Sequence, residues 1–355
     1  MGSAPGMPKN LSPRRRGRAR RRAALLAVAL VVAGVVVFAL SRLDLRRIVH
    51  DLLTASPGWV ALSLLLMGLS LVLRSISWQQ TLRAALPDTP IPWPAVIRAT
   101  MIGVMGSAVF PGRVGEPTRV LVLARRLAGS TRRLLAVIAG TVFSQTLINL
   151  LALAILAAVT FSSVSIFHGQ EAGLAGALAI PALIGAVVLV GPALLRLGRH
   201  SRVDRIRRAA SAVTRLLGLA RRGLAVFTHP RHGVPAVTAQ LLAWALQWGS
   251  CYMIVLALGL QHEATPATAA AILLAVNVSA VLPATPSNVG VFQAACLVVL
   301  AAYGVGAGPG LAYGIILQAV ELLAALALGV PALLAEGLTW QDIRRAPLAG
   351  AEEVS

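Results

Sequence analysis

The sequence predicts an all-α polytopic membrane protein, with about six full transmembrane helices and two Pro-broken, re-entrant pairs of short helices in inverted repeats. Three observations predict it. Several apolar runs reach the length needed to cross a bilayer. The charge is sparse and gathered between those runs: 57% of the 355 residues are hydrophobic and 12% charged, against about 25% charged in soluble domains. Finally, two stretches far apart in the chain match each other around a proline. The mean hydropathy of +0.80 agrees with the first two.

The net charge of +20 is not the footprint of a nucleic-acid-binding protein, because it sits in the loops between apolar segments. There it is read by the positive-inside rule and by anionic lipid. Cys251 and Cys296 lie inside apolar segments with no metal-site or disulfide spacing, so they read as small core residues.

Residues 1–22 hold Lys9, seven arginines and no acid, and are expected to be a disordered cytoplasmic arm. Residues 23–40 form the first span, read as an uncleaved anchor because the run is long for a signal peptide and no small-x-small cleavage site follows. A second span covers 57–77 and is expected to end near Arg74 and Trp78. The runs 94–110 and 118–124 are too short to span separately, and Pro111-Gly112 separates them. Spans follow at 134–160 and 173–195.

Residues 196–232 carry ten arginines against Asp204, with Ile206, Val213, Leu216, Leu217 and Leu224 among them. That pattern predicts an amphipathic linker helix on the cytoplasmic face. A span at 233–260 leads to two short apolar pieces, 266–282 and 288–303, and a last span at 310–335. The transmembrane domain is thus 23–337, followed by a cytoplasmic tail, 338–355. Arginines in the arm, in the 125–133 loop, in the linker and in the tail put both termini in the cytoplasm of a plasma-membrane protein. The 42–51 loop, with Arg42, Arg46 and Arg47, runs against that assignment.

The matching stretches are "SAVFPGRVGE" from Ser107 and "SAVLPATPSNVG" from Ser279, followed by "SQTLINLLALAIL" from Ser144 and "LQAVELLAALALG" from Leu317. Two units, about 95–160 and about 267–333, share the order short helix, broken loop, short helix, full span. The arginine assignment sends the first short pair in from the cytoplasm and the second from outside, which makes the repeats inverted. Broken helices in inverted repeats mark transporters, with the site where the broken ends meet.

That logic selects the site residues. Arg113, Gly115, Glu116 and Arg119 surround the first break, and charges at membrane depth are costly unless paired or hydrated, so they default to a functional role. Arginine suits a phosphate. The second break offers Pro283, Thr285, Pro286, Ser287, Asn288, Gly290 and Gln293, which are uncharged and can shape and hydrogen-bond a headgroup. Gln145, Asn149, Gln240, Gln247, Asn277, Gln318 and Glu321 are polar within spans. Glu321 is the candidate for proton or ion coupling, and the amides read as interhelical hydrogen bonds. No histidine has metal-ligand spacing, and no metal or cofactor is expected.

The segments "PGRVGEPTRVLVLARRLAGS" and "LPATPSNVGVFQAACLVVLAAYGV" resemble the two motifs of the flippase-like family typified by the transmembrane region of lysylphosphatidylglycerol synthase. The likeness covers most of residues 50–340. It implies an integral membrane protein that moves a lipid across the cytoplasmic membrane, the lipid being anionic, aminoacylated, glycosylated or polyprenyl-linked. By motif match, Arg113, Gly115, Glu116 and Arg119 fall on the family's charged segment, and Pro283, Thr285, Pro286 and Gly290 on the second. The chain departs from the usual pattern at Ser287-Asn288, where glycine is usual, and at Gln293, where an acid is often found. A span reading "AGTVFSQTLINL" lacks the Glu-Arg pair that many members carry.

The expected role is therefore a lipid translocator and not an enzyme. Two other readings stay open: a non-catalytic membrane partner of an envelope-lipid or glycan synthesis enzyme, and an integral membrane transferase with a lipid-linked donor.

Overall fold

A computed structural model describes residue 50 and residues 52–109, 115–127, 132–163, 224–280 and 288–337. All regular structure among them is helical: α1 Pro57–Ala85, α2 Trp93–Val109, α3 Gly115–Arg126, α4 Arg132–Ser163, α5 Pro230–Ala257, α6 Pro266–Ser279, α7 Val291–Ala302 and α8 Ala307–Ala335, with a 3-10 turn at Leu224–Phe227. Helices α1, α5 and α8, and Leu134–Thr160 within α4, are long and apolar enough to cross a membrane. The expected spans 23–40 and 173–195, the arm, the tail, and most of the linker lie outside the described residues, as do Arg113, Pro283, Thr285 and Pro286.

Local sequence sets the helix starts. Proline opens α1, α5 and α6 in the first turn, where its missing N–H and fixed φ suit a helix. Thr265 caps α6 through a reciprocal pair: its backbone N–H donates to Thr268 Oγ1 at 3.1 Å, and Thr268 N–H donates back to Thr265 Oγ1 at 3.4 Å. At α7, Gly290 takes the cap with φ +88°, a conformation that favours glycine, and Gln293 Oε1 accepts from its N–H at 2.7 Å.

Two expectations are corrected. The first concerns the span at 57–77, which does not end near Arg74 and Trp78 but runs on to Ala85. The polar residues that seemed to mark an end find partners inside the bundle: Trp78 Nε1 donates to Thr141 Oγ1 at 3.1 Å, and Gln79 Nε2 to the Ile91 carbonyl at 3.2 Å. The second concerns the linker, which stops short of 232 because α5 already begins at Pro230.

Helices α1 and α5 form the axis of the bundle and run antiparallel along their whole length. At one end the Ser56 N–H donates to the Ala257 carbonyl at 2.9 Å. Further along, the Ser63 and Ser250 hydroxyls meet at 2.8 Å, and each also donates to the other's carbonyl at 3.0 Å. At the far end His232 Nδ1 lies 3.0 Å from Gln80 Oε1. Around this pair each of α1 and α5 is followed by two short helices and a long one.

The first short pair closes where two glycines meet. A Cβ on Gly115 would stand 1.7 Å from the Gly103 carbonyl oxygen, so only glycine allows α2 and α3 this approach. Gly103 is ten residues from the start of α2, about 15 Å along the helix, which places the start of α3 deep in the bundle. In the second half Gly314 and Gly310 of α8 press on Gln293 and Leu297 of α7, which fixes that pair as antiparallel. The core joins Trp78, Ile102, Met105, Leu123, Ile254, Ile272, Leu300 and Tyr313.

Candidate functional site

The site is built on Arg119, in the second turn of α3. Its Nη2 meets Glu116 Oε2 at 2.5 Å, one helical turn back. Nη1 donates to Gln145 Oε1 of α4 at 2.8 Å. The guanidinium lies over the Trp78 ring of α1, 4.8 Å from its centroid, which is a cation–π contact. Arg119 Nε is buried without a hydrogen-bond partner among the described residues. The Arg119 side chain is 10% exposed, whereas that of Glu116 is 50% exposed, so the carboxylate is the accessible member of the pair.

A second arginine joins from α1. Arg74 Nη2 donates to Gln247 Oε1 of α5 at 2.5 Å, and its backbone carbonyl accepts from Gln145 Nε2 at 3.0 Å. Gln145 therefore ties the two arginine-bearing elements together. Arg74 Nε is also buried and unpartnered among the described residues. Arg74 stands eleven residues before the end of α1, about 17 Å along it. Glu321 of α8 is partly buried and acts on the charge of Arg74 without a direct ion pair. Close by, Asn149 Oδ1 accepts from Gln240 Nε2 at 2.9 Å and from Trp244 Nε1 at 2.8 Å.

Of the residues selected from sequence, Gly115, Glu116 and Arg119 come together at the start of α3. Gly115 supplies the close crossing, Glu116 and Arg119 the charges. The second motif is held differently. Gln293 caps α7, and its Nε2 donates to Gln318 Oε1 on α8. Asn288 adopts φ 57°, and its buried side-chain Oδ1 and Nδ2 are unpartnered among the described residues. Asn277 turns to its own helix, donating to the Leu273 carbonyl at 2.8 Å.

Sequence reasoning missed Arg74 and Trp78, which it placed at a helix end. The signal was present: an arginine followed by polar residues at 75, 77, 78 and 79, with apolar positions still recurring to Leu82. It also missed Glu336. Its side chain is 5% exposed and lies between Arg98 Nε at 3.2 Å and Arg126 Nε at 2.6 Å, joining the ends of α2, α3 and α8. Arg83, Arg98, Arg125, Arg126 and Arg231 gather at this end, and His262 and Glu263 lie in the α5–α6 turn at the other. Among the described residues no group of three His, Cys, Asp or Glu side chains could hold a metal ion.

The family model described as Lysylphosphatidylglycerol synthase TM region matches residues 24–329. A search of curated proteins finds no match.

Proposed function

The chain belongs to the lysylphosphatidylglycerol synthase TM region family, and on that premise we propose that it translocates a lipid with an anionic, aminoacylated, glycosylated or polyprenyl-linked headgroup across the cytoplasmic membrane. One observation carries the reading. Two arginines, Arg74 and Arg119, are held by glutamines deep inside the bundle, and each keeps a buried Nε without a partner among the described residues. Charges at that depth are costly, and a bundle that retains them has use for them. A phosphate oxygen entering between them would take up the free donors. Glu116, half exposed at the start of α3, would order Arg119 or meet a cationic headgroup.

The two halves serve this as inverted repeats. Their first helices start at Pro57 and Pro230, 230 − 57 = 173 residues apart, and run antiparallel. Gln145 and Gln318 are also 318 − 145 = 173 apart, and each accepts from the short helix before it, from Arg119 and from Gln293. A bundle of this kind rocks about a fixed central site. The arginine-rich end is the cytoplasmic one by the positive-inside rule. Glu321 is the candidate for proton or ion coupling.

We read the protein as a translocator and not an enzyme, because its twelve acids are scattered along the chain and form no paired-carboxylate motif. The test is leaflet exchange of fluorescent headgroup-labelled lipids in liposomes. Wild-type protein is expected to exchange them, and Arg119→Ala and Glu116→Ala to slow the exchange. Absence of exchange with every anionic and isoprenoid lipid tried overturns the reading.

A further inference from the structure

A cavity of about 790 Å³ opens away from the arginine pair, at the arginine-rich end of the bundle. Its volume lies in the range of small-molecule sites, about 300–1,000 Å³. Arg83 from the end of α1, Arg126 from the end of α3 and His232 from the start of α5 line it, and among the described residues no acidic one does. Arg83 is exposed and forms no ion pair among the described residues. Arg126 spends its Nε on Glu336, and its side chain remains 48% exposed. His232 Nδ1 lies against Gln80 Oε1, which leaves Nε2 as the ring's other polar atom.

Apart from Thr89, the remaining wall is apolar and rich in proline. Pro90, Ile91 and Pro92 come from the α1–α2 loop, and Leu127 from the end of α3. Prolines carry no N–H, so this wall offers little to a polar solute and much to a glyceride chain. Trp93, 41% exposed, follows directly on Pro92, as an aromatic anchor does at a membrane–water boundary. A cationic floor, an apolar wall and an interfacial position together match one kind of ligand.

We propose that this cavity binds the phosphodiester of an anionic membrane lipid, with Arg83 and Arg126 on the phosphate and Ile91 and Leu127 against the glyceride. The site is separate from the arginine pair but physically tied to it. Arg126 and Arg119 are seven residues apart on α3, two turns and about 10 Å, on the same face.

The inference does not rest on translocation, and its test reads binding alone. Full-length protein in detergent micelles is titrated with dioctanoyl phosphatidylglycerol, dioctanoyl phosphatidylcholine and inorganic phosphate. Phosphatidylglycerol is expected to bind at least about tenfold more tightly than phosphatidylcholine, a difference of about 1.4 kcal/mol. Arg83→Gln should remove most of that preference and Arg83→Lys restore part of it. Arg83 is exposed, so an unchanged thermal midpoint certifies that the variant is folded. Equal binding of the two lipids, or a preference indifferent to Arg83→Gln, overturns the proposal. Phosphate binding as tight as phosphatidylglycerol also overturns it, and assigns the cavity to a soluble phosphate compound.

Discussion

Arg74 and Gln247 are 173 positions apart in the chain and bonded to each other, Nη2 to Oε1, at 2.5 Å. The same interval separates Pro57 from Pro230 and Gln145 from Gln318. Positions that correspond by sequence can touch only close to the axis that relates them. The bond thus lies near the proposed two-fold of the bundle, where a lipid would pass between the halves. Gln247→Leu removes the acceptor and leaves more of a buried guanidinium unpartnered. We expect a loss of about 1–3 kcal/mol, the usual cost of a buried donor left unmade. Gln247→Glu, which keeps an acceptor oxygen, should lose less. Thermal unfolding of the two variants in one detergent decides it, and equal midpoints would remove the structural role of the bond.

Arg119 works through its shape as well as its charge. One guanidinium reaches Glu116, Gln145 and the face of Trp78 together. A lysine ammonium is a point charge on a flexible stem and cannot meet all three. Arg119→Lys should therefore slow lipid exchange nearly as much as Arg119→Ala, by about tenfold or more, which is about 1.4 kcal/mol of lost stabilisation. If lysine restores wild-type exchange, the charge alone is enough and the fork has no part in it.

Much of this was legible in the sequence, and the limits have physical causes. The apolar runs gave α4, α5 and α8 to within a few residues, because hydropathy is a one-dimensional signal. Pro111-Gly112 falls between the end of α2 and the start of α3, and a proline's missing N–H together with a glycine's backbone freedom disfavours helix there. Glu116 and Arg119 were selected by the cost of charge in lipid, and they pair as their i,i+3 spacing requires. Arg74 was not selected. Its meaning depends on Gln247 and Gln145, which approach from distant helices, and nothing local distinguishes it from a span-ending arginine. Glu336 was missed for the same reason: its partners Arg98 and Arg126 lie over 200 residues away.

The crossing of α2 and α3 depends on a missing methyl group. A Cβ at position 115 would meet the Gly103 carbonyl oxygen at 1.7 Å and Ser107 Oγ at 2.4 Å. A backbone oxygen cannot rotate aside, so Gly115→Ala must part the helices. That shift carries Arg119 away from Trp78 and Gln145. Overpacking of this kind costs about 1–3 kcal/mol and at times more. We expect a lower thermal midpoint together with slowed exchange. Gly58→Ala, where a Cβ meets nothing within 4 Å, is the control and should leave both unchanged.

The antiparallel α1–α5 axis can be trapped chemically. Ser63 and Ser250 bring their Oγ atoms to 2.8 Å, and Cys251 and Cys296 are buried thiols that must first be replaced. In a Cys251→Ala, Cys296→Ala background, Ser63→Cys with Ser250→Cys should oxidise to a disulfide, since a sulfur–sulfur bond needs about 2.05 Å and the side chains already meet. Ser75→Cys with Ser250→Cys should not, because Ser75 lies twelve residues along α1 from Ser63, about 18 Å away. The bond would close a loop spanning both halves, and a change in gel mobility reads it directly. The disulfide also tests the transport proposal without touching either arginine. If one half rocks against the other about this axis, locking the axis about a quarter of the way along from its Ser56 end leaves exchange intact, whereas a mechanism that parts α1 from α5 is abolished. Cross-linking of the Ser75 pair in place of the Ser63 pair would mean that the two helices meet in another register, and the Ser63–Ser250 contact would fall with it.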